Sequence, residues 1–386
     1  MKFHGYRRAD GRAGIRNHVV VMPGVLCAAG VAQMIAERVK GSTYLYNPNG
    51  CAQNARDTKM TLDILSGMIA NGNVYGALIV GLGCETLQKE RYLAAIHQRT
   101  DKPVFHIYIQ EEGGIEKTVA KGVRIASTLL AEAARCKREE CDIAEIILGM
   151  ECGGSDATSG LSSNIVLGYL SDRLVDLGAT TVISETPEAI GAEQILARRG
   201  RTPEIGQKLY DTVKACEQLF FEAGEDIRKA NPSPGNKAGG LTTLEEKSLG
   251  CIQKSGSRPF EAVYEYGEMI DKKGLVFLNT TAYDVASVAA KVAAGAQVIA
   301  FTTGRGTPVG NAIAPVIKIT GNADTYARLA DMLDFDTSAS IKGTRTVAEL
   351  GDELLNYLLR VCNGETVKAE QHKLSNMAIN QLGSYC

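Results

Sequence analysis

The sequence is short of the features that announce the commoner chemistries. It has no Cys-x-x-Cys pair, which argues against zinc ribbons and thioredoxin-type redox sites. It has no Gly-x-Ser-x-Gly elbow, no GxxxxGK[ST] phosphate loop and no Gly-x-Gly-x-x-Gly dinucleotide fingerprint. Charge of one sign is lacking as well. The 42 basic and 44 acidic residues leave a formal charge of -2, so no electrostatic argument for nucleic acid or an anionic membrane arises. No uncharged apolar run reaches the roughly 18 residues of a membrane span. The opening MKFHGYRRADGRAGIRNHVV has basic residues but no apolar core before a small-residue cleavage site, so a secretory signal is not expected. Histidine is scarce, at five residues. His106 sits in an aliphatic run and is expected to be packed, whereas His18, at a strand start, is a candidate to line a crevice.

Cysteine is not scarce: there are ten. A chain of 386 residues can bury its core without staples and has length for two domains. Free thiols in a reducing cytoplasm are therefore expected.

Short aliphatic runs alternate with helical patterns. Strands are predicted over 18–25, 42–51, 75–84 and 102–114, with helices over 31–40, 57–72, 86–99 and 115–136 between and after them. The charged KREECD stretch marks a boundary, giving domains 1–138 and 139–386. The pattern then restarts, with strands over 144–152, 179–186, 272–281 and 295–306. Helices are predicted over 165–177, 193–201, 210–230, 284–294 and 348–362. Such alternation implies parallel strands with crossover helices. The expected fold is α/β, two Rossmann-like parallel-sheet domains with the active site at the strand carboxyl ends between them.

Polar, glycine-rich segments follow the strands: NPNGC, GLGCE, ECGGSD, SETPE, NTTAYD and TTGRGTP. Ligands sit beyond strand carboxyl ends in open α/β sheets, so these segments are expected to converge on one crevice. Cys51, Cys84 and Cys152 each end a strand beside glycine. Cysteine is also a common small core residue. Three thiolates at equivalent positions would suit iron or zinc, or an iron–sulfur cluster with one open iron, the open position binding a substrate oxygen. Arg305 in TTGRGTP suits bidentate binding of a carboxylate. In NPSPGNKAGGLTTLEEKSLG, Thr242 or Thr243 with a glutamate three residues on reads as a helix capping box. That reading leaves the glycine-rich lead-in and Lys247 unexplained.

Six stretches lie in order along nearly the whole chain: GYRRADGRAGIRN, GLGCE, ECGGSDATSGLSSN, SETPEAIGAEQIL, NPSPGNKAGGLTTLEEKSLG and FTTGRGTP. Together they resemble the altronate/galactarate dehydratase family, in which sulfolactate sulfo-lyase large subunits are also found. The resemblance implies a lyase that eliminates water from a sugar acid or related 2-hydroxy acid, aided by iron as Fe2+ or as a cluster. It also implies a β-rich module that this chain does not begin with, so a separate small subunit is expected, and a homo-oligomer of the chain. Two positions depart from the family pattern: Asn47 and Gln194 stand where relatives often carry histidine, and neither side chain serves as a base.

On this reading Lys247 is the first candidate for general base, followed by Glu193, Asp284 and Asp156. Arg305, Ser155, Ser159, Asn164, Thr243, Asn47 and His18 are expected around the acid, and Cys51, Cys84 and Cys152 around the metal. A sulfo-lyase, differing in its leaving group, is the close alternative. A non-catalytic acid-binding subunit is the alternative of another class, and a dehydrogenase is disfavoured by the missing nucleotide fingerprint.

Overall fold

The two parallel sheets that the alternation predicts are both present, and a small antiparallel sheet joins them. A computed structural model describes residues 1–383, so Cys386 lies outside the described residues. Strand β1 (Lys2–Arg7) pairs antiparallel with β2 (Ala13–Gly14) on one side and with β7 (Glu139–Asp142) on the other. The first parallel sheet contains β3 (His18–Pro23), β4 (Thr43–Tyr44), β5 (Val74–Gly81) and β6 (Val104–Tyr108), in the order β4-β3-β5-β6. The second contains β8 (Ile147–Cys152), β9 (Thr180–Ile183), β10 (Phe260–Tyr264), β11 (Gly274–Leu278), β12 (Val298–Thr302), β13 (Val316–Thr320) and β14 (Phe335–Asp336). Its order is β10-β11-β9-β8-β12-β13-β14, and every pairing is parallel. The chain builds outward on one side of β8 and then resumes at β12 on the other. The crevice beyond β8 and β12 is thus the topological switch point, where loops part and leave room for a ligand.

Several elements differ from the sequence reading for identifiable reasons. The expected second strand shrinks to the two residues of β4, because Pro48 and Gly50 follow closely and Gly50 has a φ of 112°. Strand β13 was missed because Lys318 interrupts its apolar run; the lysine is buried, with its ammonium 4.3 Å from the centre of the Phe301 ring. The helix predicted over 210–230 starts earlier, at Pro203 with Thr202 as its cap, and stops at Glu222 before Gly224, whose φ is 81°. The stretch 231–250 folds into two capped helices, Pro234–Ala238 and Leu244–Ile252. In the second, the Thr243 hydroxyl accepts the Glu246 N–H at 3.1 Å. The Thr243 hydroxyl oxygen thus caps this helix.

The two parallel sheets share one hydrophobic core, which runs from Val20 and Ile79 to Met150 and Phe277. Helix Ala55–Ala70 packs against helix Asp284–Ala293. They approach so closely that a Cβ on Gly67 would lie 2.4 Å from the Ala293 carbonyl oxygen. Beyond them, the Asn71 amide donates to the carbonyls of Val292 and Ala296, both at 2.8 Å, and the Asn73 amide donates to Gln297 and Ile313 at 2.8 and 3.1 Å. Among the described residues no helix is long and apolar enough to cross a membrane.

Candidate active site at the carboxyl ends of β8, β9 and β12

Cys152 ends β8, Glu185 and Glu188 follow β9, and Cys251 and Lys254 come from helix Leu244–Ile252 and the turn after it. The Sγ atoms of Cys152 and Cys251 are 3.6 Å apart. The Lys254 ammonium donates to both, at 3.0 and 3.1 Å, and is ion-paired to Glu185. Cys152 donates in turn to Glu188 at 3.3 Å, and Lys247 lies 2.6 Å from the other oxygen of Glu188. A second buried pair, Glu151 with Lys291, adjoins the first and accepts a hydrogen bond from Ser287 at 2.9 Å.

Charged side chains are almost never fully buried unless paired. Here Lys247, Lys254 and Lys291 face Glu151, Glu185, Glu188 and Asp284, one carboxyl group more than there are ammonium groups. The surplus is met by retaining a proton. Burial first, then repulsion by Glu151, holds the Glu185 carboxyl well above its ordinary range. One oxygen each of Glu151 and Glu185 is buried without a donor, which a shared proton satisfies. Glu188 goes the other way: burial opposes its charge, but Lys247 and Lys254 overcome it and lower its pKa. Burial would likewise lower Lys247, but Glu188 outweighs it and keeps the ammonium charged. Asp284, half-buried near Glu185 and Glu188, is pushed up to about 7, chiefly by loss of water and then by those two carboxylates.

Two cavities open onto this network. One, of about 420 Å3, is lined by Gly153, Glu188, Lys247, Asp284 and Arg305. The other, of about 430 Å3, is lined by Cys152, Cys251, Ser155 and Asn164, and Lys247 borders both. The Arg305 guanidinium makes no hydrogen bond or ion pair among the described residues, and it projects from the loop after β12 into the first cavity. That loop is zipped to the one after β8, since the Gly304 and Arg305 N–H groups donate to the Gly154 carbonyl at 3.2 and 2.9 Å. Glycine is required at 153, where an added Cβ would lie 2.1 Å from Asp284 Oδ2. Glu185 itself has a φ of 67°, which costs a non-glycine residue about 1–3 kcal/mol and clusters at functional sites. It is held there by its N–H bond to Thr280 Oγ1 at 2.9 Å.

Of the residues named from the sequence, Cys152, Ser155, Asp156, Ser159 and Asn164 line one cavity, Asp284 and Arg305 the other, and Lys247 both. The structure does not gather Cys51, Cys84 and Cys152. Cys51 and Cys84 belong to loops of the first sheet, Cys84 is exposed, and neither joins a group of potential metal ligands among the described residues. Strand-end loops converge within a sheet, and these thiols end strands of two different sheets. Asn47 is also spent on structure: its amide donates to the Pro23 and Gly24 carbonyls at 3.2 Å. His18 lies at the amino end of β3, bonded to Thr43 at 2.9 Å, and burial lowers its pKa to about 4. Glu193 accepts the Gly191 N–H at 2.6 Å, outside the cluster. Asp156 accepts from Thr158, Ser159 and Asn322 and anchors the turn after β8. Ser159 bonds to Asp156, and Asn164 ties Thr302 to Gly250.

The sequence reading missed Glu151, Glu185, Glu188, Cys251, Lys254 and Lys291. A signal existed for four of them. Lys247, Cys251 and Lys254 recur at helical spacing on one face. Lys291 is the one basic residue of the mostly apolar helix Asp284–Ala293, and Glu151 stands inside an aliphatic strand.

Iron is the cofactor that the sequence implied. Cys152, Glu185, Glu188 and Cys251 offer ligand atoms within 4.8 Å of one another, a thiolate and carboxylate set suited to a borderline divalent ion. The Lys254 ammonium already lies against three of the four. The cluster can therefore hold a metal, but the metal and this ammonium are alternative occupants.

Comparison with known proteins agrees with this architecture. Residues 143–385 match the model for the D-galactarate/altronate dehydratase C-terminal domain, and residues 5–134 match the D-galactarate dehydratase/altronate hydrolase second domain. An altronate dehydratase of Bacillus subtilis is 34% identical, over 99% of this chain and 78% of that protein. A galactarate dehydratase (L-threo-forming) of Escherichia coli is 35% identical, over 94% of this chain and 73% of its own length. The (2R)-sulfolactate sulfo-lyase subunit beta of Chromohalobacter salexigens is 34% identical, over 95% of this chain and 94% of its own. With both domain models matched in sequence order and relatives aligned along nearly its whole length, the chain belongs to the D-galactarate/altronate dehydratase family, a family of lyases.

Proposed function

We propose that this chain eliminates water from a sugar acid or related 2-hydroxy acid bound in the cavity between Arg305 and Lys247. The observation that carries the reading is Asp284: a carboxyl whose pKa is about 7, on the wall of that cavity, facing an ammonium that stays charged. Arg305 holds the substrate carboxylate in a bidentate grip. Asp284 takes the proton from the carbon beside it, since a base titrating near neutrality combines ionisation with proton affinity. Lys247, kept charged by Glu188, gives a proton to the departing hydroxyl, and the enol product tautomerises to a 2-oxo acid. Both were candidates for the general base; here Asp284 takes that role and Lys247, the first candidate, becomes the acid. Iron held by the cysteine–glutamate cluster would add Lewis-acid assistance to loss of the hydroxyl.

The experiment is a panel of aldonic, aldaric and sulfonated hydroxy acids, with 2-oxo acid and sulfite measured separately. Release of a 2-oxo acid without sulfite supports the dehydratase; ligand-induced stabilisation with no turnover overturns it in favour of an acid-binding subunit. A sulfo-lyase is the second reading, favoured by coverage: the chain spans 94% of the sulfo-lyase subunit against 78% and 73% of the dehydratases. That relative is named a subunit, so the panel is run with and without a small β-rich partner chain.

Two variants test the geometry. Arg305→Ala should raise KM by roughly 10–100-fold, the worth of a charge-assisted contact, with a smaller effect on kcat. Gly153→Ala should displace Asp284 and cut turnover while leaving the circular dichroism spectrum unchanged; turnover at the parent rate would show that Asp284 yields cheaply.

A further inference from the structure

Cys152 and Cys251 are held sulfur to sulfur at 3.6 Å, from a strand end and a helix that are 99 residues apart in sequence. Both are buried, at 1% and 3% exposure. Both nevertheless line the 430 Å3 cavity, which is wide enough for a small oxidant to reach them. Neither sulfur has any role in the proton transfers proposed above. We propose that this pair is a peroxide-sensitive modification site, forming a Cys152–Cys251 disulfide that disarms the neighbouring catalytic groups.

The chemistry balances with groups already in place. The Cys251 sulfur, facing the Lys254 ammonium, attacks hydrogen peroxide; the O–O bond breaks, one oxygen stays on sulfur as the sulfenic acid, and the other leaves as water with the Cys251 thiol proton. Cys152 then attacks the sulfenic sulfur. Its thiol proton passes to Glu188, which already accepts it at 3.3 Å. The departing hydroxide takes a proton from Lys254 and leaves as water. Overall, two thiols are oxidised and one peroxide is reduced to two waters. The sulfurs must close from 3.6 Å to about 2.05 Å, which draws the helix Leu244–Ile252 toward β8. Lys247 lies one turn before Cys251 on that helix, so it is dragged from Glu188 as the bond forms.

The test is peptide mapping of the full-length chain after brief hydrogen peroxide treatment, with remaining free thiols alkylated in denaturant. The expected result is a Cys152–Cys251 linked peptide, lighter by two hydrogens, formed ahead of oxidation at exposed Cys27 and Cys84 and reversed by dithiothreitol. Cys251→Ser should abolish the linked peptide and leave Cys152 to be alkylated. Activity, wherever the panel reveals it, should be lost and regained in step with the linkage. Full alkylation of Cys152 and Cys251 while Cys27 or Cys84 is oxidised overturns the proposal, and so does a linkage from either cysteine to Lys254 through oxygen. Mapping needs no substrate, so its outcome stands apart from the reading of the activity.

Discussion

Asp284→Asn should slow elimination by about 10²–10⁴-fold, the usual worth of a positioned general base. Its pH signature separates this role from a structural one. The base must be ionised, so kcat/KM of the parent should rise with pH and level off above about 7, where Asp284 loses its proton. In the Asn variant that rise should vanish. Stability should move the opposite way. The Asp284 carboxyl is raised from 3.8 to about 7 in the folded chain, so folded protein holds a proton that unfolded protein releases between those values. The stabilisation is full below the unfolded value and is lost as pH climbs through the folded one. At alkaline pH the Asn variant, freed of a buried charge, should therefore be as stable as the parent or more so. Parent-like turnover in the variant, or an unchanged acid limb, would remove Asp284 from the reaction.

Lys254→Met should have the largest effect on the fold itself. The lysine is fully buried and gives three acceptors, the two sulfurs and Glu185, their shared cation. Removing one partner from such a group costs about 3–5 kcal/mol, because the other is left charged without compensation. Urea unfolding should show this as a fall in midpoint at unchanged slope. Lys254→Met combined with Glu185→Gln should recover part of the loss, since the amide cannot ionise beside Glu151 once the ammonium is gone. A single-variant loss near zero would mean the cluster is held by packing alone. If added zinc or ferrous ion restores the stability of Lys254→Met and does nothing for the parent, the ion and the ammonium compete for one position.

The α/β class was legible because aliphatic runs of strand length alternate with helical patterns, and parallel strands buried on both faces read as such runs. His18–Pro23, Val74–Gly81 and Val298–Thr302 all show it. Strand β13 did not, because Lys318 lies in its middle, and an embedded charge looks like surface until its surroundings are known. The candidate site was legible in the same uneven way. Glycine-rich segments after strands pointed to Cys152, Asp284 and Arg305, whose positions follow from the sheet alone. Which loops share a sheet is not written locally, so Cys51 and Cys84 were grouped with a thiol that belongs elsewhere. Lys254 and Glu185 went unnoticed because ion pairs link residues by space, and nothing in either segment names its partner.

The asparagine clasp between Asn71, Asn73 and the turn after helix Asp284–Ala293 has a mechanical consequence. Four amide bonds and two tightly packed helices bolt the first sheet to the element that carries Asp284, so a jaw-like swing of the halves must break all of them. Any opening of the site by the segment Pro234–Ala238, which flanks Arg305, must in turn break the bonds that fasten it to the loop after β8, from the Asn236 amide to the Ser155 carbonyl and from the Ala157 N–H to the Gly239 carbonyl, each at 2.9 Å.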